Sequence, residues 1–154
     1  MNICIRAATL EDASRLVAWA QAMAFETENK ILHETHIKPG ICTGLANPQL
    51  ARYFVAEIDG APAGTLMLTS EWSDWRNGLW LWIQSVYVLP EHRRKGIYRA
   101  LYAHVQAMAK QDTNICGVRL YVEKANRTAQ QTYQALGMHD AHYLIYEQAA
   151  SEIE

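Results

Sequence analysis

The chain has 154 residues, half of them hydrophobic, and a formal net charge of -2. A chain of this length fits one domain, which can bury roughly 68–70% of its unfolded surface. The weak net charge argues against a general nucleic-acid-binding protein, because such a protein carries a broad basic surface. The longest run of bulky apolar residues, "LWLWI", is too short to cross a bilayer. We therefore expect a folded domain with neither a nucleic-acid partner nor a membrane partner.

The cysteines and the N-terminus indicate a compartment. Cys4, Cys42 and Cys116 are far apart, form no CxxC pair and are odd in number, which suits a reducing environment. The first residues, "MNICIRAATLED", lack the basic and then apolar segments of a signal peptide. We expect a cytoplasmic protein with ordinary reduced thiols.

The first fifty residues predict a strand and a helix. "NICIRAAT" alternates as a strand does, and Thr9 followed by Asp12 is a capping-box pattern. Apolar residues then recur at helical spacing, which predicts a helix from about residue 10 to about residue 27. Residues 29–50 contain the turn-forming pairs Pro39-Gly40 and Asn47-Pro48 and fit either a short helix or a mobile loop.

The middle of the chain is typical of antiparallel strands. "RYFVAEIDGAPAGTLMLTSEW" predicts two strands around a turn at Asp59-Gly60. "SDWRNG" predicts a second turn, and "LWLWIQSVYVLP" predicts a long strand that stops at Pro90.

The last third alternates between helix and strand patterns. An amphipathic helix is predicted from Gly96, and "GVRLYVEK" predicts a strand after it. Asn126 can cap a further helix that contains Tyr133, Gly137 can end that helix, and "HYLIYE" predicts a closing strand. The order β-α-(α)-β-β-β-α-β-α-β predicts a mixed α/β fold in one domain over residues 1–154.

Three cations, Arg93, Arg94 and Lys95, stand directly before Gly96 at the start of the predicted helix. The first turn of a helix has unpaired N–H groups and partial positive charge, and it can bind a phosphate. Gly96 would let the backbone come close to such a ligand. Neither a Walker loop nor a GxGxxG fingerprint is present. A solvated basic face fits the cluster equally well at this point.

The segments around this turn resemble the GNAT superfamily of acetyl-CoA-dependent N-acetyltransferases. They are "IRAATLEDASRL", "SVYVLPEHRRKGIYRALY" and "NRTAQQTYQALGM". Arg93 and Gly96 match the family pattern [Q/R]-x-x-G-x-[G/A], whereas Tyr98 replaces its last small residue. The ring of Tyr98 would either crowd the phosphates or turn along the helix. The resemblance implies a GNAT-like α/β fold: a central twisted mixed sheet flanked by helices, with "WIQSVYV" and "VRLYV" as a splayed parallel pair.

The resemblance also implies that acetyl-CoA binds where these two strands separate. The thioester arm would pair with the backbone of Val86, Tyr87 and Val88, and Asn126 and Tyr133 would contact the cofactor. The pyrophosphate would lie on the turn and the first residues of the helix. The residues implied there are Arg93, Arg94, Lys95, Gly96, Ile97, Tyr98 and Arg99.

The implied reaction is direct attack of a primary amine on the thioester in a ternary complex. Tyr133 falls at the general-acid position, and a tyrosine with the usual pKa of about 10 is protonated at neutral pH. A backbone N–H near Val86 would stabilise the oxyanion. Gln84 occupies the region where many family members have a glutamate base. Glu71 is then the nearest acidic candidate in sequence, and Glu26 and Glu28 are others.

Four of the five tryptophans lie in "EWSDWRNGLWLW". Trp72 and Trp75, with acidic neighbours, predict an aromatic pocket for a cationic amine, to which Glu26 and Glu28 could also contribute. Trp80 and Trp82 are expected to pack in the core. We expect the acceptor to be a small amine or a protein amine, and we expect no metal site. The resemblance also leads us to expect a homodimer, because related proteins are often dimers. A non-catalytic acyl-CoA-binding module and a different nucleotide-phosphate binder stay open as alternatives.

Overall fold

The computed structural model describes residues 1–154 throughout. Contacts divide the chain into two compact units, Met1–Leu120 and Tyr121–Glu154. The strands, all in the first unit, are β1 (Ile3–Ala7), β2 (Arg52–Ile58), β3 (Ala61–Ser73), β4 (Gly78–Val88) and β5 (Ile115–Arg119). The helices are α1 (Ala13–Glu28), α2 (Glu34–Ala46) and α3 (Ile97–Gln111) in the first unit and α4 (Arg127–Ala135) in the second. No helix combines the length and the apolar character needed to cross a bilayer.

The sheet follows chain order, β1-β2-β3-β4-β5. All neighbours are antiparallel except β4 and β5, which are parallel. The predicted turn between β2 and β3 is confirmed, and Asp59 and Gly60 both have positive φ values, 49° and 84°. Two such residues form the turn whose twist suits a hairpin. The predicted mixed α/β fold with a parallel strand pair is confirmed.

The two faces of the sheet carry different helices. Tyr53 of β2 packs against a cluster formed by α1 and α2, which includes Leu16 and Ile41. The next residue, Phe54, lies edge-on to His104 of α3, with ring centroids 4.8 Å apart. Successive side chains of a strand point to opposite faces, so α1 and α2 cover one face and α3 the other.

The start of α1 is held by a buried carboxylate. A short 3-10 turn, Leu10–Asp12, precedes α1, and the N–H of Thr9 donates to Oδ2 of Asp12 at 2.9 Å. This is the reciprocal half of the predicted capping box. Arg6 donates to both oxygens of Asp12 at 2.8 and 3.0 Å and also bonds Glu57. The carboxylate therefore joins β1, β2 and the start of α1.

Three predicted elements differ in extent or are absent. Residues 29–50 contain α2, so the helix alternative was the right one, and Pro39 lies inside it. The strand predicted at "GVRLYVEK" begins earlier and ends at Arg119. The predicted closing strand at "HYLIYE" is absent, so this prediction was wrong. The second unit contains no other strand with which these residues could form a ladder.

The second unit confirms the predicted helix caps. Oδ1 of Asn126 accepts a hydrogen bond from the N–H of Ala129 at 3.1 Å, which is the N-cap geometry. Gly137 follows the helix with a φ of 96°. A residue without Cβ adopts this left-handed conformation readily, so the helix ends where the sequence predicted.

Candidate functional site

The loop after β4 ends in an exposed helix N-terminus. Arg94 and Gly96 have φ values of 63° and 84°. A Cβ built on Gly96 would have no atom within 4 Å, so the backbone there faces open space. The first N–H donated within α3 is that of Ala100, to the carbonyl of Gly96 at 3.0 Å. The N–H groups of residues 97–99 therefore have no acceptor in the helix and can bind an anion.

The base of this loop is packed tightly on the sheet. Ile97, the first residue of α3, is 1% exposed. A Cβ at Gly64 of β3 would lie 3.1 Å from Cγ2 of Ile97 and 2.8 Å from the carbonyl oxygen of Tyr87. Only a glycine at position 64 leaves room for the helix start, and this close approach fixes where the free N–H groups lie.

The three cations of the loop have different surroundings. Nη2 of Arg93 donates to Oε2 of Glu26 at 2.7 Å, and its Nε donates to the carbonyl of Val88 at 3.0 Å. Arg93, which was predicted to contact the cofactor, therefore ties the loop to α1 and β4. Arg94 and Lys95 are exposed. These two side chains can supply charge to a ligand on the loop.

Tyr98, the departure from the family pattern, does not fill the loop. Its ring lies nearly parallel to that of Tyr102, one turn further along α3, with centroids 6.3 Å apart. The ring therefore follows the helix, which is the second of the two predicted arrangements. The N–H groups of the first turn keep their positions.

A β-bulge interrupts β4 before the loop. Thr65 of β3 is opposite Tyr87, but Met67 is opposite Gln84, so two residues of β4 face one residue of β3. The bulge includes Ser85, whose φ is 49°. A bulge bends its strand and increases the local twist. Its position within β4 marks where the strand can turn away from its parallel neighbour.

The parallel pair has a short ladder. β5 pairs with β4 from Leu79 only as far as Trp82, which is opposite Arg119. The rest of β4, Ile83–Val88, continues without a β5 partner and leaves backbone groups on that edge available. One of them, the carbonyl of Val88, already accepts the hydrogen bond from Arg93.

A small cavity of about 40 Å³ lies beside the bulge, on the α1 and α2 face. It is lined by Leu16, Trp19, Ala20, Met23, Ile37, Ile41, Tyr53, Thr65, Ser85 and Tyr87. The hydroxyl of Thr65 donates to the carbonyl of Phe54 at 2.8 Å. Burial raises the pKa of both Tyr53 and Tyr87, so both phenols are neutral at physiological pH. The cavity wall is therefore uncharged and largely apolar.

Among the predicted carboxylates, Glu26 is the one that contacts a residue of the cavity lining. Its Oε1 accepts a hydrogen bond from the hydroxyl of Tyr87 at 3.3 Å, and Tyr87 lines the cavity. Glu28, two residues on, faces solvent and lies 3.6 Å from Nζ of Lys30. The structure brings Glu26, Tyr87 and Arg93 together and leaves Glu28 out.

Glu71 lies far from the bulge. It is paired with Trp80 in the β3–β4 ladder, five positions from Ser85 along β4, or about 17 Å at the usual rise per residue. Its Oε1 accepts a hydrogen bond from Nη1 of Arg119 at 2.9 Å. Gln84 is also occupied, since its amide donates to Oγ1 of Thr69 at 2.6 Å. Neither side chain is positioned at the cavity.

The tryptophan hairpin lies away from the bulge of β4. Trp75, in the turn, is 86% exposed, and Trp72 is opposite Leu79 near the end of the hairpin. Trp80 was predicted to pack in the core, but it is stacked against the guanidinium of Arg119 instead, 3.8 Å from the ring centroid. The aromatic cluster lies at the hairpin end of the sheet because the strand register carries it away from Ser85.

Tyr133 lies within α4 of the second unit, and Asn126 is the N-cap residue that precedes this helix. Burial raises the pKa of Tyr133, so its phenol keeps its proton at neutral pH. This protonation state suits a proton donor.

Sequence reasoning missed the cavity and the bulge. The cavity lining comes from two helices and three strands, and no local pattern joins residues such as Trp19, Tyr53 and Ser85. Ser85 carries no turn signal, and its left-handed backbone arises from strand pairing. The apolar spacing of α1 was the one available signal, but it identifies a buried face without showing that the face borders a hole.

Two of the comparisons with known proteins point to acetyltransferases. A profile of the Acetyltransferase (GNAT) family matches residues 10–138. The crystal structure of a possible acetyltransferase from Clostridium difficile 630 is similar, with 39% identity and a TM-score of 0.91 over 97% of this chain and 99% of that chain. No curated protein matches this chain.

Two more distant structures were determined with ligands and share the fold. One is a predicted acetyltransferase with acetyl-CoA from Clostridium acetobutylicum, with 22% identity, a TM-score of 0.75 and 96% coverage of both chains. The other is AAC(6')-Iy in complex with the bisubstrate analog CoA-S-monomethyl-acetylneamine, with 16% identity and a TM-score of 0.76, over 97% of this chain and 99% of that chain.

Proposed function

The chain belongs to the Acetyltransferase (GNAT) family, and from this premise we propose that it transfers the acetyl group of acetyl-CoA to a primary amine by direct attack in a ternary complex. The observation that carries the proposal is the loop that joins a bulged β4 to an open helix N-terminus. An acyl-CoA has a diphosphate and an extended amide-containing arm. The loop offers N–H groups to the diphosphate, and β4 offers a strand edge to the arm.

The residues of the loop fit a diphosphate. The open space beside Gly96 leaves room for phosphate oxygens, and N–H groups of residues 97–99 lack acceptors in α3. Arg94 and Lys95 add charge-assisted bonds to these neutral donors. Arg93 holds the loop against Glu26 and so acts on the backbone that binds.

When bound, acetyl-CoA supplies an activated thioester carbonyl. The backbone of Val86–Val88 orients the arm, and an N–H near Val86 donates to the carbonyl oxygen as negative charge develops on it. The family motif assigns to Asn126 a polar contact with the cofactor. These roles follow the positions of the family motif in this chain.

Two protons must move during transfer to an amine. The acceptor arrives as an ammonium ion and loses a proton, and we assign the uptake of this proton to Glu26, because Glu26 contacts the cavity-lining Tyr87. Glu71, the earlier candidate, is paired with Arg119 at the other end of the hairpin. Tyr133 donates a proton to the leaving thiolate, and its raised pKa keeps that proton available at neutral pH.

Release of free thiol from acetyl-CoA in the presence of a panel of amines tests the proposal. Tyr133→Phe should lower turnover by roughly 10²–10⁴-fold, the usual contribution of a general acid, while coenzyme A binding by calorimetry is unchanged. Tyr146→Phe is the matched control and should behave as the wild type. Equal turnover in wild type and Tyr133→Phe would remove Tyr133 from the mechanism.

One observation favours a second candidate, a non-catalytic acyl-CoA-binding module. Gln84 cannot titrate, and its amide is bonded to Thr69, so that position supplies no base. Calorimetry and thiol release separate the two functions. Coenzyme A uptake with no thiol release from any amine indicates the module.

A further inference from the structure

We propose, resting on the acetyltransferase activity above, that the acceptor is a primary amine with a short aliphatic substituent, which binds in the cavity between α1, α2 and the bulge of β4. Glu26 and Tyr87 take up its ammonium group. Four features carry the proposal: the size of the cavity, the chemistry of its wall, the carboxylate at its edge and its position at the bulge.

Size limits the substituent. The cavity holds about 40 Å³. A single water needs roughly 10–15 Å³ and a benzene ring enters a cavity of roughly 150 Å³, so this space suits about three heavy atoms. A propyl group, or the three-carbon branched end of an isobutyl group, therefore fits, and an aromatic ring requires a larger cavity.

The wall selects an apolar group. Aliphatic and aromatic side chains dominate the lining, and it includes no carboxylate and no cation. Trp19 and Tyr87 form one corner, with ring centroids 6.2 Å apart. A polyamine or an aminoglycoside carries several ammonium groups, which would lose hydration here without gaining partners.

The edge of the cavity supplies one place for one positive charge. Both oxygens of Glu26 are engaged, by Tyr87 at 3.3 Å and by Arg93 at 2.7 Å. The long contact with Tyr87 is the weaker of the two. An ammonium group that enters beside Tyr87 can replace it at Oε1 while Arg93 stays on Oε2.

The position of the cavity suits acyl transfer. Ser85 and Tyr87 both line it, and they flank Val86, the residue assigned to the thioester carbonyl. An aliphatic group held between α1 and α2 therefore leaves its amine at the same segment of β4. The same surface would therefore bind the substituent and position the amine.

The acceptor panel for the test is isobutylamine, benzylamine and spermidine, with thiol release as the readout. We expect isobutylamine to have the highest kcat/KM. Ala20→Leu fills the cavity and should raise KM for isobutylamine at least about tenfold, the effect of displacing one or more methylene-sized groups. Ala18→Leu, on the exposed side of α1, is the matched control and should leave KM unchanged.

A variant that enlarges the cavity tests the proposal if Ala20→Leu folds poorly. This variant, Met23→Ala, should increase kcat/KM for benzylamine relative to isobutylamine. Spermidine as the best acceptor of the wild type would overturn the proposal, as would Ala20→Leu and Ala18→Leu giving equal KM values.

Binding without turnover separates this proposal from the proposed function. We expect isobutylamine, titrated into the protein in the presence of coenzyme A, to change the tryptophan fluorescence because it contacts Trp19. The change should be smaller in Ala20→Leu than in the wild type. Such binding with no thiol release from any amine would refute the transferase and keep the cavity assignment. Thiol release with spermidine alone, without a fluorescence change from isobutylamine, would refute the cavity assignment and keep the transferase.

Discussion

Replacing Asp12 by asparagine should destabilise the protein in a way that depends on pH. Asp12 is 2% exposed and accepts hydrogen bonds from Arg6 at 2.8 and 3.0 Å and from the N–H of Thr9 at 2.9 Å. Arg15 pairs with the same carboxylate. Asparagine keeps the shape of the side chain and removes the charge, so the change isolates the electrostatic contribution.

The expected loss of folding stability follows from the pKa of Asp12. The hydrogen bonds from Arg6 are the main cause that lowers this pKa from 3.8 to about 2, against the opposing effect of burial. A shift of this size corresponds to about 2 kcal/mol of folding free energy. Because the pKa is lower in the folded state, this stability is present above about pH 4 and is lost as the pH falls towards 2.

Urea unfolding at several pH values measures this contribution. At pH 7 and pH 5 we expect Asp12→Asn to be less stable than the wild type by about 2 kcal/mol. Below pH 4 the difference should shrink, and near pH 2 it should be small. Glu11→Gln, an exposed neighbour, is the control and should change stability by less than about 0.5 kcal/mol at every pH. A constant difference from pH 5 to pH 2 would refute the electrostatic reasoning.

Three further substitutions test the site and the sheet. Gly96→Ala should cost about 1–2 kcal/mol, because φ is 84° there, and should weaken coenzyme A binding in calorimetry; an unchanged affinity would contradict the loop assignment. Gly117→Ala should cost about 1–3 kcal/mol in urea unfolding and shift tryptophan fluorescence, since its Cβ would lie 2.3 Å from Trp80; wild-type spectra would be the opposing result. Arg93→Ala breaks an exposed pair with Glu26 and should cost less than about 1 kcal/mol, yet weaken coenzyme A binding; equal binding would show that the loop orders itself without Arg93.

The elements that the sequence predicted well are those whose local signals agree. The turn at Asp59-Gly60 and the start of α3 after Gly96 both depend on residues that tolerate positive φ, and both are where the pattern placed them. The cap at Asn126 is equally local. Backbone preference and hydrophobic spacing were sufficient for these elements.

The parts that could not be predicted depend on how distant segments pair. Glu71 and Trp72 are close in sequence to the long strand, but the antiparallel register places them at the hairpin end, opposite Trp80 and Leu79. Ser85 adopts a left-handed backbone because two residues of β4 face one of β3. A one-residue irregularity of this kind arises from tertiary pairing, and it also sets the position of the cavity.

The packing of Ile97 against Gly64 has a consequence for the thermodynamics of ligand binding. The anchored helix start, together with the bonds from Arg93 to Val88 and Glu26, keeps the receptor rigid before any ligand arrives. A rigid receptor loses little conformational entropy on association, so more of the interaction energy appears as affinity. Amide hydrogen exchange in α3 should therefore slow at the first turn alone when coenzyme A is added, with the remaining turns already protected.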